Sequence, residues 1–240
     1  MIVYPDNWKK DYNDYADYDI DIASIVERIL QDVIYNINVN HLAYSGGIDS
    51  TIMLALLKQT YNVVHTYTIS SRKDHPDVLF ARLGSEKYET DHHEFIVEPT
   101  NVETDEFPGD NAVRQFFEHV GKHTDRIITC DGVDEFMCGY YAHMDGTQET
   151  YEHYLSRLTP DHLVPLDSAS GNVKVYVPYL NRWMICIYRN IPLSAKVDEN
   201  NRKKIMVEIA NYLGVPKEIT ERNKYGFCDA FIEDDKVSRE

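Results

Sequence analysis

The chain has 240 residues, 43% of them hydrophobic, and its 40 acidic against 24 basic side chains give a net charge of −16. That length suits one α/β domain with a sizeable core, and no apolar run approaches the roughly 20 residues of a membrane span. A strongly acidic chain with no Lys/Arg-rich stretch repels polyanions unless its basic residues converge in space, so no nucleic-acid partner is expected, although solubility is the commoner reason for such a charge.

Residues 1–18 are rich in Tyr and Asp and read as an irregular arm whose tyrosines dock it on the rest of the chain. Ile22, Ile25, Val26, Ile29, Leu30 and Val33 recur at helical spacing and predict an amphipathic helix over 20–34. An N-terminal arm and helix (1–38) packed on one core domain (39–240) is the organisation expected. Strands are predicted over 39–44, 63–69, 93–97 and 126–130, alternating with helices over 51–59, 77–88 and 111–122. This alternation implies a parallel sheet flanked by helices on both faces. Beyond residue 141 the pattern turns helical, with a turn at Ser170-Gly171-Asn172 and a helix over 201–212 stopped by Gly214 and Pro216. The N-terminus has no basic region leading into a long apolar stretch, so no signal peptide is expected. Cys130, Cys138, Cys186 and Cys228 form no CxxC pair, which points to reduced thiols in a cytoplasmic protein and away from zinc.

The most informative segment is Ser45-Gly46-Gly47-Ile48-Asp49-Ser50, set between the first predicted core strand and an apolar helix. A strand that turns through Gly-Gly onto a helix N-terminus makes an anion site. The glycines let backbone N–H groups approach an oxyanion, the hydroxyls of Ser45, Ser50 and Thr51 add donors, and the helix dipole favours negative charge. Asp49 within this nest would repel phosphate unless a divalent cation lay between them, so magnesium is expected. The loop is not a Walker motif, because no Gly-Lys-Ser/Thr closes a four-residue spacer. A second segment, residues 125–141, reads as an apolar strand, a Gly turn, the acids Asp134 and Glu135, and then Gly139-Tyr140.

The first segment resembles the PP-loop of the ATP pyrophosphatases, and the second resembles the other nucleotide-site motif of the asparagine synthetases, Ser-Gly-Glu-Gly-x-Asp-Glu followed by Gly-Gly-Tyr. Thr129, Cys130, Asp131, Gly132, Asp134, Glu135, Gly139 and Tyr140 fall on that pattern, with Cys130 and Cys138 in place of glycines and Asp131 in place of a glutamate. Val177-Pro178-Tyr179-Leu180-Asn181 resembles the family's Pro-Phe-Leu-Asp, while Lys204 and Arg222-Asn223-Lys224 resemble its C-terminal lysines. The resemblance covers about 39–228 and is to an asparagine synthetase-type synthetase domain. It implies the adenine nucleotide alpha hydrolase-like, PP-loop fold with a helical C-terminal part.

It also implies an ATP-dependent amide ligase with ATP and Mg2+. Such an enzyme adenylates a small carboxylate, aspartate first of all, releases pyrophosphate, and lets ammonia or another amine displace AMP. By resemblance, Tyr44, Ser45, Gly46, Gly47, Asp49, Ser50, Ile69, Thr129, Cys130 and Gly132 bind the nucleotide, with backbone groups of Tyr44 and Ile69 reading adenine and Thr129 lying near the ribose. Asp49 and Asp134 hold magnesium. Lys204 and Lys224 stabilise charge on pyrophosphate and in the adenylation transition state, and Asp131 assists the amine with about 1.5 Å less reach than glutamate.

Two departures bear on the substrates. Position 2 is Ile, and only 38 residues precede the first core strand, so no glutaminase nucleophile is expected on this chain and nitrogen would come from free ammonia, a separate glutaminase or another amine. Tyr176 and Asn181 stand where the family has Arg and Asp, in the part that frames the amino-acid substrate. A related PP-loop enzyme acting on another carboxylate or a modified nucleotide, and a nucleotide-binding protein without catalysis, are the alternatives. His92-His93 reads as a strand-edge pair, and Asp74, His75 and Asp77 as a loop and helix cap.

Overall fold

A computed structural model describes residues 1–3, 21–98 and 110–223. Its centre is a sheet of wholly parallel strands: β1 (Ile2–Val3), β2 (His41–Ala43), β3 (His65–Ser70), β4 (Asp91–Ile96), β5 (Arg126–Ile128) and β6 (Lys174–Tyr176), in the order β1-β6-β5-β2-β3-β4. The chain leaves β2 toward β3 and β4 on one side and returns to β5 and β6 on the other. The order therefore reverses between β2 and β5, which pair through Leu42 and Ile128. In open parallel sheets the crevice beyond the carboxyl ends of two such strands is where ligands bind.

The first helix, α1 (Ile22–Gln31), starts where the Asp21 carboxylate accepts the Ser24 N–H at 3.0 Å, and it buries Ile25, Val26 and Ile29. It runs on through a wider turn, residues 32–37, and stops at Asn38, whose φ of +50° leaves the helical region. After β2 comes α2 (Ile48–Thr60), in which every residue from Ser50 to Leu57 is buried. It is sandwiched between the sheet and the helices α1, α10 (Lys204–Tyr212) and α11 (Lys217–Thr220), which explains why its sequence has no polar stripe. α2 begins at Ile48, three residues earlier than its sequence pattern suggests, and so Asp49 and Ser50 occupy its first turn.

Helices cover both faces of the sheet. α3 (Pro76–Lys87) lies on the face of Thr66, with Ser85 Oγ 3.4 Å from Thr66 Oγ1. The opposite face is an aromatic layer of His41, His65, Tyr67, His93 and Phe95, against which α4 (Asp110–Val120) sets His119 and, just beyond its end, His123. The C-terminal part is helical, as its pattern indicates, except that β6 interrupts it. β6 and β1 are three and two residues long, too short to show a period of two, and neither is expected from the sequence. The Met1 ammonium secures the outer edge by donating to Val173 O at 2.9 Å.

Candidate active site

The loop after β2 is shaped by what glycine leaves out. Gly46 has φ +65°, and a Cβ there would lie 2.4 Å from the Ala81 nitrogen and 2.5 Å from the Phe80 carbonyl carbon of α3. Only glycine both adopts that backbone and docks so closely. Gly47 then caps α2, and its carbonyl accepts from the Ser50 hydroxyl at 3.1 Å and the Thr51 hydroxyl at 2.8 Å. Ser45 Oγ accepts the Gly47 N–H at 3.3 Å. The hydroxyls thus hold the turn in place, while the start of α2 offers backbone N–H groups that no helical carbonyl can reach. That end of the helix favours an anion.

The second loop leaves β5 at the same sheet edge. Thr129 is anchored by its N–H to Tyr176 O at 2.9 Å, and Gly132, at φ +88°, starts the short helix α5 (Val133–Phe136). A Cβ on Gly132 would lie 2.2 Å from Leu180 Cδ2, so the loop packs directly on the turn Pro178–Leu180. From that turn the buried Tyr179 donates its hydroxyl to Asp49 O at 2.9 Å and supports the first loop from below.

Lys203 joins the two loops. It stands at the N-cap of α10 with φ +52°, and its buried ammonium lies between two carboxylates, hydrogen-bonded to Asp49 Oδ2 and 2.5 Å from Asp134 Oδ1. Burial works against the charged ammonium, but Asp134 and Asp49 outweigh it and hold its pKa above the ordinary lysine range. Beside the pair, burial pushes the Cys130 thiol well up, reinforced by Asp49 and Asp131, so it is a neutral neighbour and not a nucleophile. Burial also raises the Asp131 carboxyl, against the pull of the Thr129 hydroxyl and His162. Glu135 is raised in the same way, by burial and then by Asp134; it accepts the Tyr140 hydroxyl at 2.7 Å, and His162 Nε2 is 3.7 Å away.

On the far side of the loop after β2, Arg222 sets Nη2 on Asp77 Oδ1 at 2.7 Å, with its guanidinium 5.0 Å from the Phe80 ring centroid. Nη2 is also 3.6 Å from the place a Cβ on Gly47 would take. Its Nη1 is buried without a hydrogen-bond partner among the described residues.

These elements match a known pattern along most of the chain: the family model for asparagine synthase aligns with residues 42–167 and 146–238. The chain belongs to the asparagine synthase family. Both loops, the 178–180 turn, Lys203 and Arg222 fall within the matched segments. No curated protein sequence matches the chain. Among solved structures, the NMN synthetase from Francisella tularensis is similar, with a TM-score of 0.51 at 15% identity over 88% of this chain and 78% of that one. That likeness supports the PP-loop fold, a parallel sheet flanked by helices. As a member of this family the chain is an ATP-using enzyme of the ligase type.

The residues fit the groups such an enzyme needs. Two carboxylates close enough to share one ammonium supply the hard oxygen ligands that magnesium prefers. Arg222 Nη1, buried with no hydrogen-bond partner among the described residues, is the kind of donor an anion satisfies.

Placement of the residues expected from sequence is uneven. Tyr44, Ser45, Gly46, Gly47, Asp49 and Ser50 line one loop, Thr129, Cys130, Asp131, Gly132 and Asp134 the other, and Ile69 is the penultimate residue of β3. Lys204 lies away from the two carboxylates, its Nζ contacting Asp198 Oδ2 and Ser194 O, each at 3.1 Å, and it is Lys203 that reaches them. Successive residues at a helix start diverge by about 100°, so only one of the two lysines can face the loops. The reading of adenine through Tyr44 is also narrowed, because its N–H is spent on Tyr67 O at 2.8 Å and its carbonyl accepts the Thr68 hydroxyl. Asn181 caps α8 (Arg182–Asn190) through the Trp183 N–H at 2.9 Å and donates to Asp32 Oδ1 at 2.5 Å. Lys224 lies outside the described residues. Lys203 is not singled out by the sequence, where the adjacent Lys204 was the available signal, while Arg222, Glu135 and Tyr140 fall on family motifs without a role of their own.

Proposed function

We propose that the chain is an AMP- and pyrophosphate-forming amide ligase that activates a small carboxylate, aspartate first among the candidates, for attack by ammonia. The observation that carries this reading is the meeting of Asp49, Asp134 and Lys203 where the sheet order reverses, at the mouth of a glycine loop. In the reaction the substrate carboxylate attacks the α-phosphorus, pyrophosphate leaves, and ammonia displaces AMP. Asp49 and Asp134 would hold magnesium, which when bound neutralises the phosphates and draws charge toward the leaving oxygen.

The chain's own groups supply the remainder. The first turn of α2 and Arg222 receive the phosphate charge on two sides of the glycine loop. Lys203 places a fixed positive charge where charge grows in the transition state; being buried and pre-paired, it needs little reorganisation. Asp131 and Glu135 have pKa values raised by burial, which suits one of them to take the proton that ammonia must lose as it forms the amide. The nucleophile is ammonia or another amine.

A second reading is favoured by Asn181. Its carboxamide offers no carboxylate for an amino-acid ammonium group, and it is committed to the cap of α8 and to Asp32. A carboxylate of another class, such as one on a modified nucleotide, accommodates that loss, and the fold shared with an NMN synthetase is compatible with it. Pyrophosphate release from ATP and Mg2+, measured with ammonium and a panel of carboxylates, tests both readings. Release of AMP and pyrophosphate with aspartate supports the first; release only with a nucleotide carboxylate supports the second. Formation of ADP and inorganic phosphate overturns both.

A further inference from the structure

At the opposite edge of the sheet, where the strands begin, β2, β3 and β4 bring together a group that plays no part in the nucleotide site. Register aligns His41 with His65 and His65 with Asp91, and residues two apart on a strand share a face, so His65, Asp91 and His93 point to the same side. His65 Nδ1 is 2.8 Å from Asp91 Oδ2, and His93 Nε2 is 3.5 Å from the same oxygen. The three ligand atoms all lie within 4.8 Å of one another.

We propose that His65, Asp91 and His93 form a site for a divalent transition-metal ion of the zinc type. Two imidazoles and a carboxylate are a ligand set that zinc accepts with a fourth position left to water, and ligand bonds of about 2.0–2.1 Å in a tetrahedron put neighbouring ligand atoms about 3.4 Å apart. The His93–Asp91 separation has that value already, and the His65–Asp91 hydrogen bond opens by about half an ångström to match it.

The surroundings hold both rings in place. His65 is stacked on His41 at 4.5 Å between centroids, and His93 is stacked on Tyr67 at 5.0 Å and lies 4.7 Å from His123. His41 is itself tied to the Tyr67 hydroxyl at 2.8 Å. Rings fixed in this way lose little freedom when they ligate, and such outer contacts orient metal-bound histidines. The ligands are a quarter to a half exposed, so an ion has a path in. Lying at the amino edge, the ion would clamp β3 to β4 and would take no part in phosphate chemistry.

The test is calorimetric titration of the full chain with zinc chloride in excess magnesium, which keeps the Asp49–Asp134 pair occupied. One equivalent should bind, His65→Ala and His93→Ala should each weaken it by at least roughly tenfold to a hundredfold, and Asp49→Asn should leave it unchanged. On the unaltered protein, zinc should shift the ring-nitrogen resonances of His65 and His93 and leave His75 and His143 in place, a readout that needs no variant to fold. Failure of zinc to bind, equal binding by the histidine variants, or ring shifts confined to other histidines would each overturn the proposal.

Discussion

The backbone of Gly139 lies against the side chain of Lys203: a Cβ built on Gly139 would be 2.4 Å from Lys203 Cε and 1.7 Å from Asp134 Oδ1. The ion pair between the loops therefore depends on a residue with no side chain at 139. Gly139→Ala should displace the ammonium or the carboxylate and lower turnover by about a hundredfold, as expected for losing one preorganised charge. Overpacking should cost about 1–3 kcal/mol as well. Steady-state kinetics with urea unfolding would check both; a variant with unaltered kinetics would mean the contact has no bearing on catalysis.

Lys203 and Lys204 make a sharper contrast, since they differ by one position and point apart. Lys203→Ala leaves two partly buried carboxylates facing each other, and breaking a buried pair costs about 3–5 kcal/mol. Added magnesium should restore much of that stability, because a cation held by Asp49 and Asp134 offsets their repulsion, while turnover stays low by a factor of about 100 to 1000. Lys204→Ala removes a partly exposed contact with Asp198 and a hydrogen bond to Ser194 O, and should leave stability and rate nearly unchanged. Thermal unfolding with and without magnesium, alongside the rates, separates the two lysines. Equal effects from both would refute the assignment of Lys203.

The contrast also marks how far the sequence could be read. The glycine loop after β2 was legible because Gly-Gly between an apolar strand and an apolar helix leaves few other conformations, and the alternation of periods implied the parallel sheet. The strands β1 and β6 were not, since two or three residues carry no periodicity and their identity comes from pairing with each other and with β5. Which of two adjacent lysines faces the site depends on which one caps α10. That is decided by a left-handed backbone at Lys203 with no glycine to announce it. The role of Gly139 is likewise set by Lys203, 64 positions further along.

Asp32 offers a test by pH. Burial raises its pKa from an ordinary 3.8 to about 6, although Asn36 and Asn181 hydrogen-bond its carboxylate. The folded chain keeps this proton up to about pH 6 while the unfolded chain gives it up near 3.8, so the group's contribution to stability is largest below pH 4 and falls as pH rises to 6. Above pH 6 the folded state bears a constant penalty of at most about 3 kcal/mol. Asp32→Asn keeps an oxygen for both asparagine donors and removes the penalty. The variant should be more stable than the parent at pH 7 and gain nothing at pH 4. Urea midpoints across pH 4–7 would decide, and a variant equally destabilised at both ends would show that ionisation of Asp32 carries no penalty in the folded chain.

Arg222 tests the phosphate side of the site. Its Nη2 is held by Asp77, its plane lies near Phe80, and its Nη1 is buried beside the glycine loop with no partner among the described residues. A donor left in that condition costs stability in the free protein and regains it when an anion arrives. Arg222→Gln should therefore weaken inhibition by pyrophosphate by about tenfold to a hundredfold, the worth of one charge-assisted hydrogen bond, and lower kcat/KM for ATP by a similar factor. It also removes one charged partner of the Asp77 carboxylate, so some loss of stability is expected for a reason unconnected with the ligand. The double variant Asp77→Asn/Arg222→Gln separates the two effects, because it removes the carboxylate charge together with the guanidinium and leaves the anion without its donor. Stability should recover in the double variant while pyrophosphate affinity does not. If both recover together, Arg222 serves only to hold Asp77, and the leaving group is received by the first turn of α2 without it.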